Sequence, residues 1–131
     1  MNLEEIYKSK VITAEQAVGK IKSGDRVVLG HAVGEPTEVV AAMVANSENY
    51  ENVEIVHMVA MSKSEYAKPG MEKHFIHNSL FVGGTTREAV SDGRADFTPC
   101  FFSKVPELFK NGYLPVDVAI IQLSKIGRAH V

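Results

Sequence analysis

The chain has 131 residues, enough for one domain, which at this size buries roughly two-thirds of the surface of its unfolded chain. Its composition, 45% hydrophobic and 23% charged, is typical of a globular domain and argues against a disordered chain. The 14 Lys and Arg residues are scattered and nearly balance 16 Asp and Glu residues, giving a net charge of −2, so we expect no nucleic-acid partner.

The start of the chain and its cysteine content favour a cytoplasmic protein. The sequence begins Met1-Asn2-Leu3-Glu4-Glu5, which is acidic where a secretory signal is basic, and no apolar run approaches the roughly 20 residues of a membrane span. The single cysteine, Cys100, cannot form an internal disulfide, which fits a reducing compartment. Its apolar neighbours favour an inert, partly buried thiol over a nucleophile. We therefore expect no membrane partner.

Helices are predicted from apolar spacing and capping signals. An amphipathic helix is predicted over residues 2–9. The capping-box pattern Thr13-Ala14-Glu15-Gln16 then begins a second helix that runs to about Lys22. Further helices are predicted after Pro36, from Thr85 or Thr86 to Val90, and over 104–111, the last capped by Ser103 and ended by Gly112.

Strands are predicted from apolar runs, over residues 26–30, 53–58, 74–82 and 116–123. Pro99 makes the segment 95–102 an edge strand or an irregular one. Residues 61–71 are polar and predict an exposed connection. The alternation of strands with helices predicts right-handed βαβ units in an α/β domain, with an open, mostly parallel sheet and helices on both faces.

The first candidate binding segment follows the first strand and reads Gly30-His31-Ala32-Val33-Gly34-Glu35-Pro36. Glycine lets the backbone approach a ligand, and the start of the next helix offers unpaired N–H groups to an anion. The run lacks the third glycine of a dinucleotide site and the Gly-Lys-Ser/Thr ending of a P-loop, so a ligand loop and a plain tight turn both stay open. Glu35 is predicted to cap the helix, and His31 either hydrogen-bonds a substrate or is solvated.

The second candidate segment repeats this pattern as Phe81-Val82-Gly83-Gly84-Thr85-Thr86-Arg87. Thr85 and Thr86 offer hydroxyls to a phosphate or carboxylate, and Arg87 offers a guanidinium. The alternative is that a threonine caps the helix and Arg87 is solvated. Loops that follow parallel strands lie at one edge of the sheet, where α/β proteins bind ligands.

The other polar and aromatic residues give weaker signals. His57, His74 and His77 lack the spacing of a metal site, and we expect no metal. Tyr50, Tyr66 and Tyr113 are too dispersed for a stacking surface and are expected in the core or at its rim. No Ser-His-Asp or Cys-His arrangement stands out, so the spacing predicts a binding edge without a catalytic centre.

Several longer motifs resemble the N-terminal half of the acetyl-CoA hydrolase/transferase family, and within it the 4-hydroxybutyrate and butyryl-CoA:acetate CoA-transferases. The resemblance covers residues 1 to about 124. It is carried by the segments 30–36, 53–58 and 84–90, by the spaced run Tyr113-Leu114-Pro115-Val116-Asp117-Val118-Ala119, and above all by Gly93-Arg94-Ala95-Asp96-Phe97-Thr98-Pro99-Cys100-Phe101-Phe102-Ser103.

The resemblance implies a fold of two similar open α/β domains with the active site between them. It implies transfer of coenzyme A from an acyl thioester to a short-chain carboxylate such as acetate, butyrate or 4-hydroxybutyrate, with no bound cofactor. In that family a glutamate of the second domain attacks the thioester and carries coenzyme A, a form of covalent catalysis. By resemblance, the substrate-binding residues of this chain are Gly30, His31, Gly34, Glu35, Pro36, Gly83, Gly84, Thr85, Thr86 and Ser103, and none is catalytic.

The resemblance also implies what lies outside this sequence. We expect the chain to be inactive without the C-terminal domain of the same polypeptide, and the whole protein to be a homo-oligomer. After Ser124 the sequence leaves the family pattern, and residues 125–131 are interpreted as a truncation artefact, because Ile126-Gly127-Arg128-Ala129-His130-Val131 is also one reading frame of a common sequencing adapter. The alternatives are a free-standing module that binds a phosphate or carboxylate, and an inactive fragment.

Overall fold

The computed structural model describes residues 2–124, so the predicted tail over residues 125–131 lies outside the described residues. Five strands form one sheet: β1 (Arg26–Leu29), β2 (Val53–His57), β3 (Phe75–Ser79), β4 (Ala95–Phe97) and β5 (Val118–Ile120). Their order across the sheet is β4-β3-β2-β1-β5, and every pairing is parallel. The predicted open parallel sheet is confirmed, and β4 is an edge strand as Pro99 suggested.

Five α-helices connect or flank the strands: α1 (Leu3–Lys10), α2 (Ala14–Val18), α3 (Thr37–Ala45), α4 (Arg87–Ser91) and α5 (Val105–Lys110). Helices lie on both faces of the sheet, as predicted. The larger core, on one face, joins α2 and α3 to the sheet through Val18, Val40 and Met43. On the other face, Leu108 and Phe109 of α5 pack against a smaller core centred on Val56.

Several predicted helix ends are corrected by the structure. Thr13 and Gln16 form the predicted capping box, but α2 ends at Val18 rather than near Lys22. Ser103 was predicted to cap α5, yet Lys104 occupies the capping position, and its side chain donates to the Glu107 carboxylate at 2.7 Å instead of capping the helix. Gly112 does end this helix with φ of 73°, a left-handed conformation that glycine adopts at low cost.

The segment 61–71 was predicted to be an exposed connection, and this is wrong for its middle part. Ser64 and Tyr66 are 2% and 1% exposed. Tyr66 lies in a 3-10 turn, Glu65–Ala67, that packs on β3 and contributes to the larger core. The burial of Tyr66 confirms the separate expectation that this tyrosine lies in the core or at its rim.

A row of hydrogen-bonded polar side chains crosses the sheet. The Arg26 guanidinium donates to Glu54 at 2.6 Å, and Asn78 donates to the second oxygen of Glu54 at 2.9 Å. Thr98 then donates to Asn78 at 2.8 Å. These contacts tie β1, β2 and β3 to the chain beyond β4, and they satisfy polar groups that the sheet partly buries.

No helix within residues 2–124 has the length and apolar character needed to cross a membrane.

Candidate functional site

The candidate site is built from the loops that follow β1, β2 and β3. These strands are parallel neighbours, so their carboxyl ends meet at one edge of the sheet. The two glycine-containing segments lie at this same edge, as predicted. Between them lies the loop after β2, residues 58–64, which touches both.

The loop after β1 is tightly folded. A Cβ atom on Gly30 would lie 2.7 Å from the carbonyl oxygen of Gly34, so only glycine fits there. Ala32 has φ of 54°, a left-handed conformation that costs a residue with a Cβ atom free energy. Its backbone N–H donates to the Val59 carbonyl at 2.9 Å, which joins this loop to the loop after β2.

Glu35 makes the strongest connection between these two loops. Its carboxylate accepts hydrogen bonds from the backbone N–H groups of Met61 and Ser62, both at 3.0 Å, and from the Ser62 hydroxyl. The predicted role of Glu35 as a helix cap is wrong, because α3 has Pro36 at its capping position and no side-chain cap. At 4% exposure, Glu35 is a buried acid whose hydrogen bonds reach across the sheet edge instead of along its own helix.

The hydrogen bonds decide the ionisation of Glu35. Burial by itself raises the pKa of this carboxyl, but the donors of Ser62 and Met61 and the nearby His57 lower it more, and the net pKa lies below its usual value. Glu35 is therefore a carboxylate at neutral pH. An acid in this state anchors a loop and is a poor proton donor.

The loop after β3 is held to the same neighbour by neutral groups. Thr85 and Ser64 share a hydrogen bond of 2.9 Å between their hydroxyls, and Thr85 also donates to the Ala60 carbonyl at 3.3 Å. Gly84 is exposed and Gly83 is half-buried. This loop is therefore attached to residues 60–64 by hydrogen bonds of a threonine hydroxyl, and not by a carboxylate.

Thr86 has an unusual environment. It precedes α4 but makes no side-chain cap, so helix capping does not account for it. The side chain is 1% exposed and its hydroxyl has no partner among the described residues. A buried hydroxyl without a partner costs free energy, and such groups in native structures call for a reason.

A layer of two histidines and a tyrosine lies beneath the loops. The Tyr66 hydroxyl lies 2.7 Å from His57 Nδ1, and the Tyr66 ring centroid lies 5.3 Å from that of His77. His77 Nδ1 lies 3.1 Å from the Ile55 carbonyl, so this nitrogen donates. The second ring nitrogen, Nε2, of each histidine is buried without a partner among the described residues.

Burial keeps this layer uncharged. It lowers the pKa of His77 to about 4, and it lowers the pKa of His57 although Glu35 nearby acts in the opposite direction. Burial also raises the pKa of Tyr66 well above its usual value. At neutral pH the carboxylate of Glu35 is thus the charged group above a neutral aromatic layer.

The remaining residues predicted to bind substrate occupy different positions around this edge. His31 is exposed at the start of the β1 loop, and Gly34 is half-buried in a 3-10 turn, Ala32–Gly34. Pro36 is buried at the start of α3. Arg87, which was left open as a ligand group or a solvated side chain, is exposed. Ser103 is exposed in a 3-10 turn after β4. Whether these residues contact a substrate stays a prediction.

Sequence reasoning missed the loop after β2. Ser62 holds the loop after β1 and Ser64 holds the loop after β3, yet both lie in the segment predicted to be an exposed connection. Two hydroxyl residues in the loop that follows a buried strand, at the edge where the neighbouring loops lie, were the signal that could have identified them. Tyr66, expected in the core or at its rim, contacts His57 at the end of β2. His74 lies apart from the site, because its Nδ1 bonds the Tyr50 carbonyl near the start of β3.

The groups at this edge can bind a polar ligand through hydrogen bonds. Across residues 2–124, no three His, Cys, Asp or Glu side chains come together as a metal site would require. Glu35, the acid at the centre of the edge, has one oxygen engaged by two backbone N–H groups and the other by the Ser62 hydroxyl. The edge offers backbone groups of glycine loops, the exposed His31 and hydroxyls, which are groups that can form hydrogen bonds to a polar ligand.

Comparison with known proteins identifies the family to which the chain is similar. The family model described as acetyl-CoA hydrolase/transferase N-terminal domain matches residues 1–129. The chain is 63% identical over 125 residues to a 4-hydroxybutyrate coenzyme A transferase of Clostridium kluyveri, covering 95% of this chain and 29% of the relative. It is 36% identical over 116 residues to a succinyl-CoA:cyclohexane-1-carboxylate CoA transferase of Geobacter metallireducens, covering 88% of this chain and 26% of that protein.

A solved structure agrees with the fold. The crystal structure of a 4-hydroxybutyrate CoA-transferase from Porphyromonas gingivalis superposes with a TM-score of 0.74 at 30% identity, covering 97% of this chain and 28% of that one. The chain thus spans less than a third of the length of each of these relatives.

Proposed function

Since the chain belongs to the acetyl-CoA hydrolase/transferase family and matches its N-terminal domain, we propose that it forms one wall of the active-site cleft of a CoA-transferase. The enzyme moves coenzyme A between an acyl thioester and a short-chain carboxylate of the acetate, butyrate or 4-hydroxybutyrate type. The observation that carries this proposal is the 63% identity to a 4-hydroxybutyrate coenzyme A transferase over 95% of the chain.

In this proposal the glycine loops after β1 and β3 face the substrate. His31, exposed at the tip of the first loop, contacts the carboxyl or acyl group, and Thr85, Thr86 and Ser103 line other parts of the wall. Glu35 is assigned a positioning role, because its carboxylate is buried and already accepts three hydrogen bonds from residues 61 and 62. The nucleophile comes from the other side of the cleft, outside this wall.

The 131-residue chain is expected to be inactive alone and active when joined to a complementary second half. Residues 1–124 are grafted onto the remainder of the Clostridium kluyveri enzyme, in place of its own matching segment, and coenzyme A transfer is measured for the graft and for the isolated chain. Transfer by the graft and none by the isolated chain is the expected result. A folded but inactive graft contradicts the proposal, and exchange by purified chain free of host enzyme contradicts the expected inactivity.

Replacing His31 tests whether the loop after β1 faces the substrate. In the active graft, His31→Ala is expected to lower kcat/KM about tenfold, the effect of losing one substrate hydrogen bond. The matched control is Val33→Ala in the same loop, where Val33 is 91% exposed and makes no predicted substrate contact. Unchanged kinetics for His31→Ala would return His31 to the solvated alternative.

A free-standing binding module is the second candidate, favoured by the hydrogen bonds that join the loops after β1, β2 and β3 within this one chain. Calorimetry separates the two. A stand-alone module binds a phosphate or carboxylate with micromolar affinity, whereas half of a cleft binds coenzyme A and carboxylates weakly.

A further inference from the structure

An apolar cavity of about 140 Å³ lies beside the candidate site, between the carboxyl ends of β2 and β3 and the start of α5. None of the side chains that join the loops, Glu35, Ser62, Ser64 and Thr85, lines it. Its walls are made by apolar side chains and one thiol: Met58, Leu80, Phe81, Cys100, Phe102 and Val105.

The walls of this cavity differ in burial from floor to rim. Leu80 is 7% exposed and belongs to the smaller core, so the floor is fixed by packing. Phe81 and Phe102 are 58% and 73% exposed and form the rim. Two exposed phenylalanines beside a cavity give a ligand an apolar surface that water solvates poorly.

The size of the cavity selects a small ligand. An engineered apolar cavity of about 150 Å³ binds benzene and stays free of water. A short unbranched alkyl chain has about the bulk of benzene, so the cavity accommodates one. The walls named above carry no charged group, so the part of a ligand that enters is alkyl rather than carboxylate.

The position of the cavity connects it to the proposed substrate wall. Val59 also lines it, and the carbonyl of Val59 accepts the hydrogen bond from the N–H of Ala32, next to His31. A ligand with its alkyl tail in the cavity therefore has its polar end close to the loop after β1. An acyl group has an apolar tail and a polar carbonyl, so it matches an apolar cavity next to a polar loop.

We propose that this cavity is the subsite for the alkyl tail of the acyl group or of the acceptor carboxylate, with Phe102 at the rim setting the length that fits. The inference rests on the proposed function and adds to it the residues that select chain length. It assigns Cys100 to the wall of the subsite, where the thiol is a contact and not a nucleophile.

The single cysteine makes the subsite measurable. The rate of alkylation of Cys100 by iodoacetamide is followed by intact mass in the 131-residue chain, at constant ionic strength, with acetate, propionate, butyrate or hexanoate. Each buried methylene strengthens binding about fourfold, so half-protection by butyrate is expected at roughly 15-fold lower concentration than by acetate. If acetate and butyrate give half-protection at the same concentration, the inference is overturned.

A pair of neighbouring phenylalanines supplies the matched variants. Phe102→Ala enlarges the cavity and is expected to favour hexanoate over butyrate about fourfold relative to the parent chain. Phe101→Ala, at a side chain that is 80% exposed and lies outside the named walls, is expected to leave the series unchanged. Equal effects of the two variants contradict the assignment of Phe102.

A second readout separates the failure of the subsite from the failure of the proposed function. The same titrations are followed by the NMR signals of the His31 ring. In one outcome, butyrate shifts the His31 signals but protection of Cys100 does not depend on chain length. This outcome overturns the subsite and is still consistent with the proposed cleft wall. Butyrate that affects neither residue overturns the subsite, and coenzyme A transfer by the graft then decides whether the proposed cleft wall stands.

Discussion

The loops after β1 and β3 are both held to residues 60–64, but by different chemistry. The first is anchored by a buried carboxylate, Glu35, with three hydrogen bonds from residues 61 and 62. The second is anchored by the Thr85 hydroxyl, while the buried Thr86 hydroxyl beside it has no partner among the described residues. Charge-assisted hydrogen bonds are about twice as strong as neutral ones, so the first loop is the more rigid wall and the second the weaker one.

The largest expected effect comes from removing the charged anchor. Glu35→Ala leaves the N–H groups of Met61 and Ser62 without their acceptor, and we expect the free energy of unfolding to fall by about 2–4 kcal/mol in urea titrations. Glu38→Ala is the matched control, because Glu38 is an exposed acid in the first turn of α3 and should cost less than about 1 kcal/mol. Equal losses for the two variants would remove the distinction between the loops.

Acid should weaken the first anchor and leave the second unchanged. Because the folded pKa of Glu35 lies below its usual value of 4.5, the unfolded chain binds more protons as pH falls, and the stability contributed by Glu35 is full above about pH 4.5 and lost below it. The advantage of the parent chain over Glu35→Gln should therefore shrink as pH falls through that folded pKa.

The difference between parent and variant contains the pH dependence of Glu35 and of its neighbour His57, and removes the contributions of groups that do not interact with Glu35. His77, with a folded pKa of about 4, reduces the stability of both chains as pH falls below its usual value of 6.5. This common slope cancels in the comparison. Urea titrations at several pH values measure the difference, and a constant advantage down to the lowest pH at which both chains fold would show that Glu35 carries no shifted pKa.

Substitutions of two adjacent threonines in the loop after β3 are expected to change the stability of the chain in opposite directions. Thr85→Val loses the hydrogen bonds to Ser64 and to the Ala60 carbonyl and should cost about 1 kcal/mol. Thr86→Val removes a buried hydroxyl that has no partner among the described residues, and should be neutral or stabilise by up to about 1 kcal/mol. Thermal unfolding of both variants measures the difference, and a loss of stability in Thr86→Val would mean that ordered water satisfies this hydroxyl.

The smallest expected effect tests the backbone of the first loop. Ala32 is held with φ of 54°, so Ala32→Gly relieves strain, partly offset by the greater entropy of glycine in the unfolded chain, for a net gain of about 0.5 kcal/mol. Ala41→Gly on α3 should instead lose about 1 kcal/mol, the usual cost of glycine within a helix. Denaturant midpoints compare the two, and a loss at position 32 would show that the left-handed conformation carries no cost.

The sequence by itself determined the fold class and the location of the site edge. Apolar runs such as 53–58 and helix signals such as the capping box at Thr13 depend on neighbours within a few residues, and both were confirmed. The motif segments 30–36 and 93–103 were sufficient to indicate the family. Such signals survive in a linear sequence because strand burial and helix capping are local in origin.

Only the tertiary structure decided which groups hold the loops. Glu35 was assigned to its own helix, and the structure places its hydrogen bonds on residues 61 and 62, which follow a different strand. Ser62 and Ser64 looked like members of an exposed connection because their partners, Glu35 and Thr85, lie more than 20 residues away in sequence. Parallel strands bring such residues together only after the crossover helices have packed, so no local pattern records the contact.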